Sequence, residues 1–329
     1  MKKCFFAALL AAAMLVTGCS QEEYVAKVGK EKITQSEVLF YLESVKQQME
    51  DTELSSEDDW QTTEIEGRAA IDIARERALQ TAIDNVAYIE IADKLDIKLS
   101  ADDEDKIKQV KSGIVQQYGG DTEYKAFLEE SKLTDDFIEM LCRSMACYEK
   151  LALKVQEEQP VSEEELRQYY DENQEELNTV YRKAQHILRL TKDMNTGQAL
   201  PAEQIAEAEK LAGELEQRAK AGEDFDALMA EYSEDPGSKS QPEGYVFTDG
   251  EMDPAFQNGV DQLQPGEIGL VESSFGYHVL KRLPLTFEDV QTNIENLLLQ
   301  ERLQAQVETW KTELGIEIEK NEAVLSTLN

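Results

Sequence analysis

Apolar residues recur every three or four positions through the first half of the chain. A long stripe of this period runs from Ile71 to Leu95, and shorter ones precede and follow it. Because this spacing places apolar side chains on one helix face, it predicts a mostly helical region over residues 19–160. A short strand and a turn at Gly29 precede the first helix, and the polar, acidic residues 50–66 predict an exposed loop.

The pattern changes after a break at residues 157–160. Ser162, followed by three glutamates, is typical of a helix N-cap and predicts a linker helix over 161–180. Short strand patterns then appear, separated by two helical segments. They indicate an α+β domain over residues 181–283.

Beyond Pro284, a long apolar helical stripe continues to Trp310, and a brief strand pattern follows at Ile316. A helix with such a stripe needs a partner, so residues 284–329 are expected to pack on the N-terminal helices. The predicted fold class is therefore α+β. A small, mostly antiparallel sheet with its helices is inserted in a discontinuous all-α domain.

Residues 1–18 have the pattern of a signal peptide. Two lysines precede an apolar run to Val16 that is too short to cross a bilayer comfortably. The run ends in the sequence LVTGC, which resembles the bacterial lipobox. Cys19 is thus expected to become a lipidated first residue that tethers the protein to a membrane surface. The alternative is an ordinary secretory signal with an incidental cysteine.

Composition restricts the chemistry further. The 329 residues include 33 Lys+Arg, 68 Asp+Glu and only two histidines, and the formal net charge is −35. Nucleic acids and anionic lipids are bound through Lys and Arg, so nucleic acid is excluded as the main partner. Multi-histidine metal sites are unavailable. Cys142 and Cys147 point to different faces of one predicted helix, which favours two separate buried thiols over a disulfide.

The two histidines lie in apolar strand patterns near the two ends of the α+β domain. His186 falls in its first strand and His278 in its last. A lone histidine in a strand is usually a core residue, but the first and last strands of a small sheet can be neighbours. We therefore expect the pair to meet on the concave face of the sheet.

Several separated blocks of this domain resemble the parvulin family of peptidyl-prolyl isomerases in order and spacing. They are AQHIL at 184–188, FDAL at 225–228, YSED at 232–235, FTDGEMDPAF at 247–256, LQPGEI at 263–268 and FGYHVL at 275–280. The flanking helical regions are similar to the chaperone domain of PrsA-like and SurA-like extracytoplasmic foldases. The lipobox favours the PrsA-like group, and the resemblance covers nearly all of the mature chain.

The resemblance implies an apolar pocket for the proline ring. Met252 and Phe256 match the pocket positions of parvulins, and Phe275 nearby is a secondary candidate. Ordinary core packing is the alternative for these residues. The turn context beside Gly250 and Pro254 favours the pocket.

The resemblance also implies a polar array. His186 and His278 match the histidine pair of the family, which holds a neighbouring polar side chain by hydrogen bonds. Asp235 matches a position where parvulins carry Asp or Cys facing the substrate carbonyl. Its alternative is a plain turn aspartate before Pro236.

The implied function is that of a lipid-anchored peptidyl-prolyl isomerase and chaperone. It would assist newly translocated secreted proteins with Xaa-Pro bonds at the outer face of the bacterial cytoplasmic membrane. No cofactor or metal is expected, because preferential binding of a twisted amide suffices. The resemblance also raises homodimerisation through the helical region, which nothing in the sequence decides.

Two alternatives remain. The segment Gln241–Gly244 stands where many parvulins read Gly-Gly-Asp-Leu-Gly, so an apolar residue is missing or shifted. A non-catalytic holdase with a degenerate parvulin module is therefore the second hypothesis. A solute-binding lipoprotein is the third, but the helical residues 34–150 do not provide its two α/β lobes. Lys192 is nearly alone after His186, so selectivity for phosphorylated Ser/Thr-Pro is not expected.

Overall fold

The computed structural model describes residues 24–49, Leu54 and residues 57–328. The predicted signal peptide and Cys19 lie outside these residues. The chain divides into two compact units, one formed by Met1–Pro160 with Leu299–Asn329 and the other by Val161–Leu298. The second unit is thus inserted in the sequence of the first. None of the helices in the described ranges is long and apolar enough to cross a bilayer.

The elements alternate helices with short runs of strands, which confirms the α+β class. Up to Pro160 they are β1 (Tyr24–Val28), β2 (Glu31–Thr34), α1 (Gln35–Met49), α2 (Glu57–Thr62), β3 (Glu64–Ile65), β4 (Arg68–Ala69), α3 (Ala70–Lys94), α4 (Ala101–Gln117), α5 (Asp121–Ser131) and α6 (Asp135–Glu158). After it they are α7 (Glu163–Glu172), α8 (Gln174–Val180), β5 (Arg182–Leu190), α9 (Ala202–Lys220), α10 (Phe225–Tyr232), α11 (Gly237–Ser240), β6 (Tyr245–Phe247), α12 (Pro254–Asp261), β7 (Ile268–Glu272), β8 (Gly276–Leu283), α13 (Phe287–Glu313), β9 (Ile318–Lys320) and α14 (Glu322–Leu325).

Local capping signals set several helix starts. The Thr34 hydroxyl accepts a hydrogen bond from the N–H of Glu37, whose carboxylate accepts one from the N–H of Thr34. Ser100 and Ser162 begin α4 and α7 with the same reciprocal box. Each box satisfies N–H groups that the first helical turn leaves without partners, so these starts follow from sequence alone.

The discontinuous unit has one large core. Ile83 of α3, Phe137 of α6 and Trp310 of α13 are buried together in it. A small antiparallel sheet of order β2-β1-β9 adds to the helices, with Ala26 of β1 pairing with Ile33 on one side and Lys320 on the other. The C-terminal segment therefore completes this unit through both a helix and a strand.

Two details of this unit bear on the sequence analysis. The prediction of an exposed loop over residues 50–66 is wrong for the second half of this range. There α2 buries Trp60, which is 3% exposed and lies beneath the ammonium of Lys46. Burying the large apolar area of an indole stabilises this position more than the acidic residues around it favour exposure. Cys142 and Cys147 are free and buried, as predicted.

The inserted unit is built on a four-stranded antiparallel sheet of order β6-β5-β8-β7. The two central strands, β5 and β8, pair in register from Lys183 opposite Leu283 to Leu190 opposite Gly276. Helices α9 and α10 cover one face through a cluster that includes Ile187 of the sheet. Helix α12 lies against the other face.

A further cluster joins the linker helices to the start of α13. Leu166 of α7 and Leu177 of α8 pack with Phe287 and Val290. Residues 284–298 thus lie in the inserted unit, and only the later part of α13 joins the N-terminal helices. The apolar stripe of α13 is continuous in sequence, but its first half packs in the cluster with α7 and α8 and its second half in the core of the discontinuous unit.

Candidate active site

The two central strands bring the histidines together. The register places His186 opposite Leu280 and His278 opposite Leu188, so both imidazoles project from the same face as diagonal neighbours. Their Nδ1 atoms are 2.9 Å apart. The ring planes are nearly parallel, at 10°, and His186 and His278 are 7% and 4% exposed. The predicted meeting of the two side chains is confirmed.

Asp235 extends the array from the segment after α10. Its Oδ2 atom lies 2.9 Å from Nε2 of His186 and accepts a hydrogen bond of 2.6 Å from the hydroxyl of Tyr245. The same carboxylate accepts the N–H groups of Gly237 and Ser238 at the start of α11. Asp235 is therefore both a turn aspartate and a member of the histidine array.

Ser273 closes the array at its other end. Its Oγ atom lies 2.7 Å from Nε2 of His278 and accepts a hydrogen bond from the N–H of Phe275. Sequence reasoning missed both Ser273 and Tyr245. Serine and tyrosine are common in turns and strands, and the only available signal was their position just before two of the blocks that resemble parvulins, at 247–256 and 275–280.

The hydrogen bonds assign the protons of the array. An ionised carboxylate only accepts, so Nε2 of His186 donates to Asp235, and its Nδ1 then accepts from Nδ1–H of His278. Nε2 of His278 in turn accepts from the hydroxyl of Ser273. Every ring nitrogen is satisfied with both imidazoles neutral.

The electrostatics agree with this assignment. Burial, together with the neighbouring His186, lowers the pKa of His278 to about 3. Burial alone would raise the pKa of Asp235, but the hydrogen bonds from His186 and Tyr245 outweigh it and hold that pKa well below its ordinary value. At neutral pH the array thus contains the ionised carboxylate of Asp235 and the neutral imidazole of His278.

An aromatic wall stands beside the array. The ring of Phe256 meets both imidazoles edge-on, with centroids 5.2 Å from His186 and 5.3 Å from His278. Its helix α12 begins at Pro254, and Asp253 caps it by accepting the N–H of Ala255. The proline and the capping aspartate set the start of α12 and thereby the position of Phe256 against the sheet.

The other two pocket candidates differ in their surroundings. Met252 is half-buried and packs on the cluster that contains Phe256. Phe275 is also half-buried and lies in the turn between β7 and β8. The Nζ atom of Lys192 lies 4.1 Å from the centroid of its ring. The structure thus joins Met252 and Phe256 in one apolar cluster, whereas Phe275 contacts the array through its backbone N–H to Ser273.

The segment Gln241–Gly244, which departs from the parvulin pattern, contacts β5 through its backbone. Gly244 has φ +97°, and a Cβ there would lie 2.8 Å from the carbonyl oxygen of Ala184. The carbonyl of Pro242 accepts a hydrogen bond from the side chain of Gln185. The side chains of Gln241, Pro242 and Glu243 are exposed and place no apolar group in the cluster.

The chain is similar to known proteins in both of its units. Residues 166–283 match the model of the PPIC-type PPIASE domain. The foldase protein PrsA of Caldanaerobacter subterraneus subsp. tengcongensis is 28% identical over 312 residues, covering 92% of this chain and 89% of its own. The chaperone SurA of Chromohalobacter salexigens is 36% identical over 115 residues, covering 33% and 26%. The crystal structure of PrsA from Bacillus subtilis is 20% identical with a TM-score of 0.33, and the match covers 83% of this chain and 99% of its own.

The fold and the matched domain define a parvulin-type peptidyl-prolyl isomerase. The sequence match to the PrsA relative extends through the helical unit on both sides of this domain. The chain is therefore a PrsA-like parvulin foldase, an isomerase that is also a chaperone.

Proposed function

We propose that the array of His186, His278 and Asp235, with the wall of Met252 and Phe256, is where prolyl isomerisation takes place. The observation that carries the proposal is the pair of buried imidazoles, whose Nδ1 atoms are 2.9 Å apart. They lie beside the carboxylate of Asp235 and the edge-on phenyl ring of Phe256. The Xaa-Pro bond has a rotational barrier of about 18–20 kcal/mol, because its C–N bond has partial double-bond character. A site that binds the twisted amide better than the planar one lowers this barrier.

Each part of the site has a role in that binding. The apolar side chains of Met252 and Phe256 would hold the pyrrolidine ring away from water. Asp235 would face the carbonyl oxygen, which carries less negative charge in the twisted amide than in the planar one. A fixed anion therefore favours the twisted form. The two histidines are positioning residues that hold the Asp235 carboxylate in place.

Isomerisation of Xaa-Pro peptides, measured by NMR exchange or a protease-coupled assay, tests this assignment. Asp235→Ala should lower kcat/KM by about 100-fold, in the range seen when one preorganised electrostatic group is removed. Glu231→Ala is the matched control, since Glu231 is an exposed carboxylate on α10 next to the site segment. Equal activity of Asp235→Ala and wild type, with intact circular dichroism, would remove Asp235 from the site.

We further propose that the protein is anchored through acylated Cys19 on the outer face of the cytoplasmic membrane. The LVTGC motif after an apolar run supports this location. Its clients there would be newly translocated, unfolded secreted proteins with Xaa-Pro bonds. Cys19→Ala should abolish incorporation of labelled palmitate in a bacterial host and release the protein from membranes. Homodimerisation stays a prediction, and sedimentation equilibrium tests it.

A holdase without isomerase activity is the second candidate. The exposed side chains of Gln241 to Glu243 favour it, because they leave out an apolar group that many parvulins place there. Refolding of a proline-limited substrate separates the two functions. Suppressed aggregation without acceleration of the slow phase would support the holdase and refute the isomerase site.

A further inference from the structure

The helical unit contains a cleft of about 900 Å³. It lies between β2 and the helices α1, α3 and α6, entirely within the discontinuous unit. Its apolar lining consists mainly of Tyr41, Val86, Ile89, Phe137 and Met140. This volume is at the upper end of the range typical of ligand sites, so the cleft has room for a short stretch of polypeptide.

The outer strand of the small sheet borders the cleft. Strand β2 is the outer strand of the order β2-β1-β9, and Glu31, Lys32 and Ile33 of this strand line the cleft. Within the described part of the chain, β2 pairs with β1 alone, so its outer side has no strand partner. Such an edge is a template for an added strand.

The lining includes an orphaned hydroxyl. Tyr41 is 6% exposed, and no group among the described residues forms a hydrogen bond with its Oη atom. Leaving a buried hydroxyl unsatisfied destabilises a protein, and such groups are rare. A ligand with a carbonyl group would satisfy it.

The charge of the lining selects among ligands. Seven carboxylates and three cationic side chains border the cleft. One of the cations, Arg143, is already held by both oxygens of Glu104. Two of the carboxylates are likewise paired with cations outside the lining, Glu139 with Lys111 and Glu90 with Lys94. The excess of negative charge favours a ligand that carries Lys or Arg.

We propose that this cleft binds an extended polypeptide segment that adds a strand to the free edge of β2. One face of the added strand would carry apolar side chains toward the lining, and the alternate residues would be Lys or Arg facing the acidic rim. The hydroxyl of Tyr41 donates to a backbone carbonyl of the segment. The proposal rests on the chaperone function of the chain and specifies which client segments it selects.

Fluorescence anisotropy with the full-length mature protein tests the proposal. The probe is a labelled, proline-free peptide in which Lys alternates with Val and Phe. A version with Glu for Lys should bind at least about 10-fold more weakly, because like charges across an interface repel. Two further versions are N-methylated on odd or on even residues, and at least one of them should lose binding, since pairing with a strand edge uses backbone N–H groups.

Protein variants locate the binding. The double variant Asp93→Lys with Glu317→Lys reverses the charge at two exposed positions of the cleft and should weaken peptide binding about 10-fold. Glu130→Lys with Glu149→Lys makes the same change of net charge on exposed sites outside the cleft and should change it less than about 2-fold. Tyr41→Phe should raise Tm and yet weaken binding about 5-fold, a combination that a purely structural hydroxyl would not produce.

Three results would overturn the proposal. Equal effects of the two double variants would show non-specific attraction, and full binding of both N-methylated peptides would exclude strand addition. Suppression of client aggregation without peptide binding would place the client site elsewhere, and the chaperone function would stand. Peptide binding without suppression of aggregation would support the cleft and refute the chaperone function, so the two failures are distinguishable.

Discussion

Acidification from pH 7.5 to pH 5 should destabilise the inserted unit through its buried histidine, His278. His278 is buried and neutral, with a pKa of about 3 against 6.5 for a free imidazole. Between these values the unfolded chain binds a proton that the folded one does not, so stability is complete above pH 6.5 and falls as the pH is lowered. At pH 5, 1.5 units below 6.5, the loss is about 2 kcal/mol at 1.36 kcal/mol per unit.

Asp235 does not produce this effect at pH 5. The pKa of Asp235 is lowered from 3.8, so its contribution is present above 3.8 and is lost only at lower pH. The signature of His278 is therefore a loss of stability that begins near pH 6.5.

Native-state hydrogen exchange of amides in β5 and β8 is the suitable measurement. Both tryptophans, Trp60 and Trp310, lie in the core of the other unit, so intrinsic fluorescence does not report on this sheet directly. Opening free energies should fall by about 2 kcal/mol from pH 7.5 to pH 5. In His278→Gln, which keeps a neutral polar side chain, this fall should be absent.

Titration of the wild type by NMR provides an independent check that does not require the variant to fold. An imidazole of His278 that gains its proton near pH 6.5 would refute the argument. So would the same pH dependence of exchange in wild type and His278→Gln.

The remaining predictions concern stability. Gly276→Ala should lower the free energy of unfolding by at least about 2 kcal/mol and reduce isomerase activity, because φ is +149° and a Cβ would lie 2.1 Å from a carbonyl oxygen of β5. Gly213→Ala, in the interior of α9, should instead stabilise the protein by about 0.5–1 kcal/mol, because the new Cβ would meet nothing within 4 Å beyond its chain neighbours and the backbone of its own helix. Urea unfolding of both variants compares them directly, and a similar loss in each would contradict the steric argument. Lys311→Met should cost about 2 kcal/mol in urea unfolding followed by tryptophan fluorescence, since this ammonium is 6% exposed and bound by the carboxylates of Asp84 and Glu308. An unchanged midpoint would show that these carboxylates are solvated well enough without it.

Much of the local structure follows from the sequence. The capping serine at Ser162 begins α7 where the pattern predicts it, and the alternation around His186 becomes β5. These features depend on neighbours within a few positions, which hydrophobic period and capping chemistry describe well. The α+β class and the insertion of one unit in the other follow from the same patterns, together with the resemblance to parvulins.

Long-range pairing decided the rest. His186 and Ser273 are joined through His278 only because β5 and β8 pair in one register, and a slip of one residue would turn an imidazole to the opposite face. The hydrogen bond from Tyr245 to Asp235, the burial of Trp60 and the cleft beside β2 likewise depend on segments far apart in sequence. A sequence determines such contacts physically, but local patterns do not reveal them, because they arise only when the segments pack together.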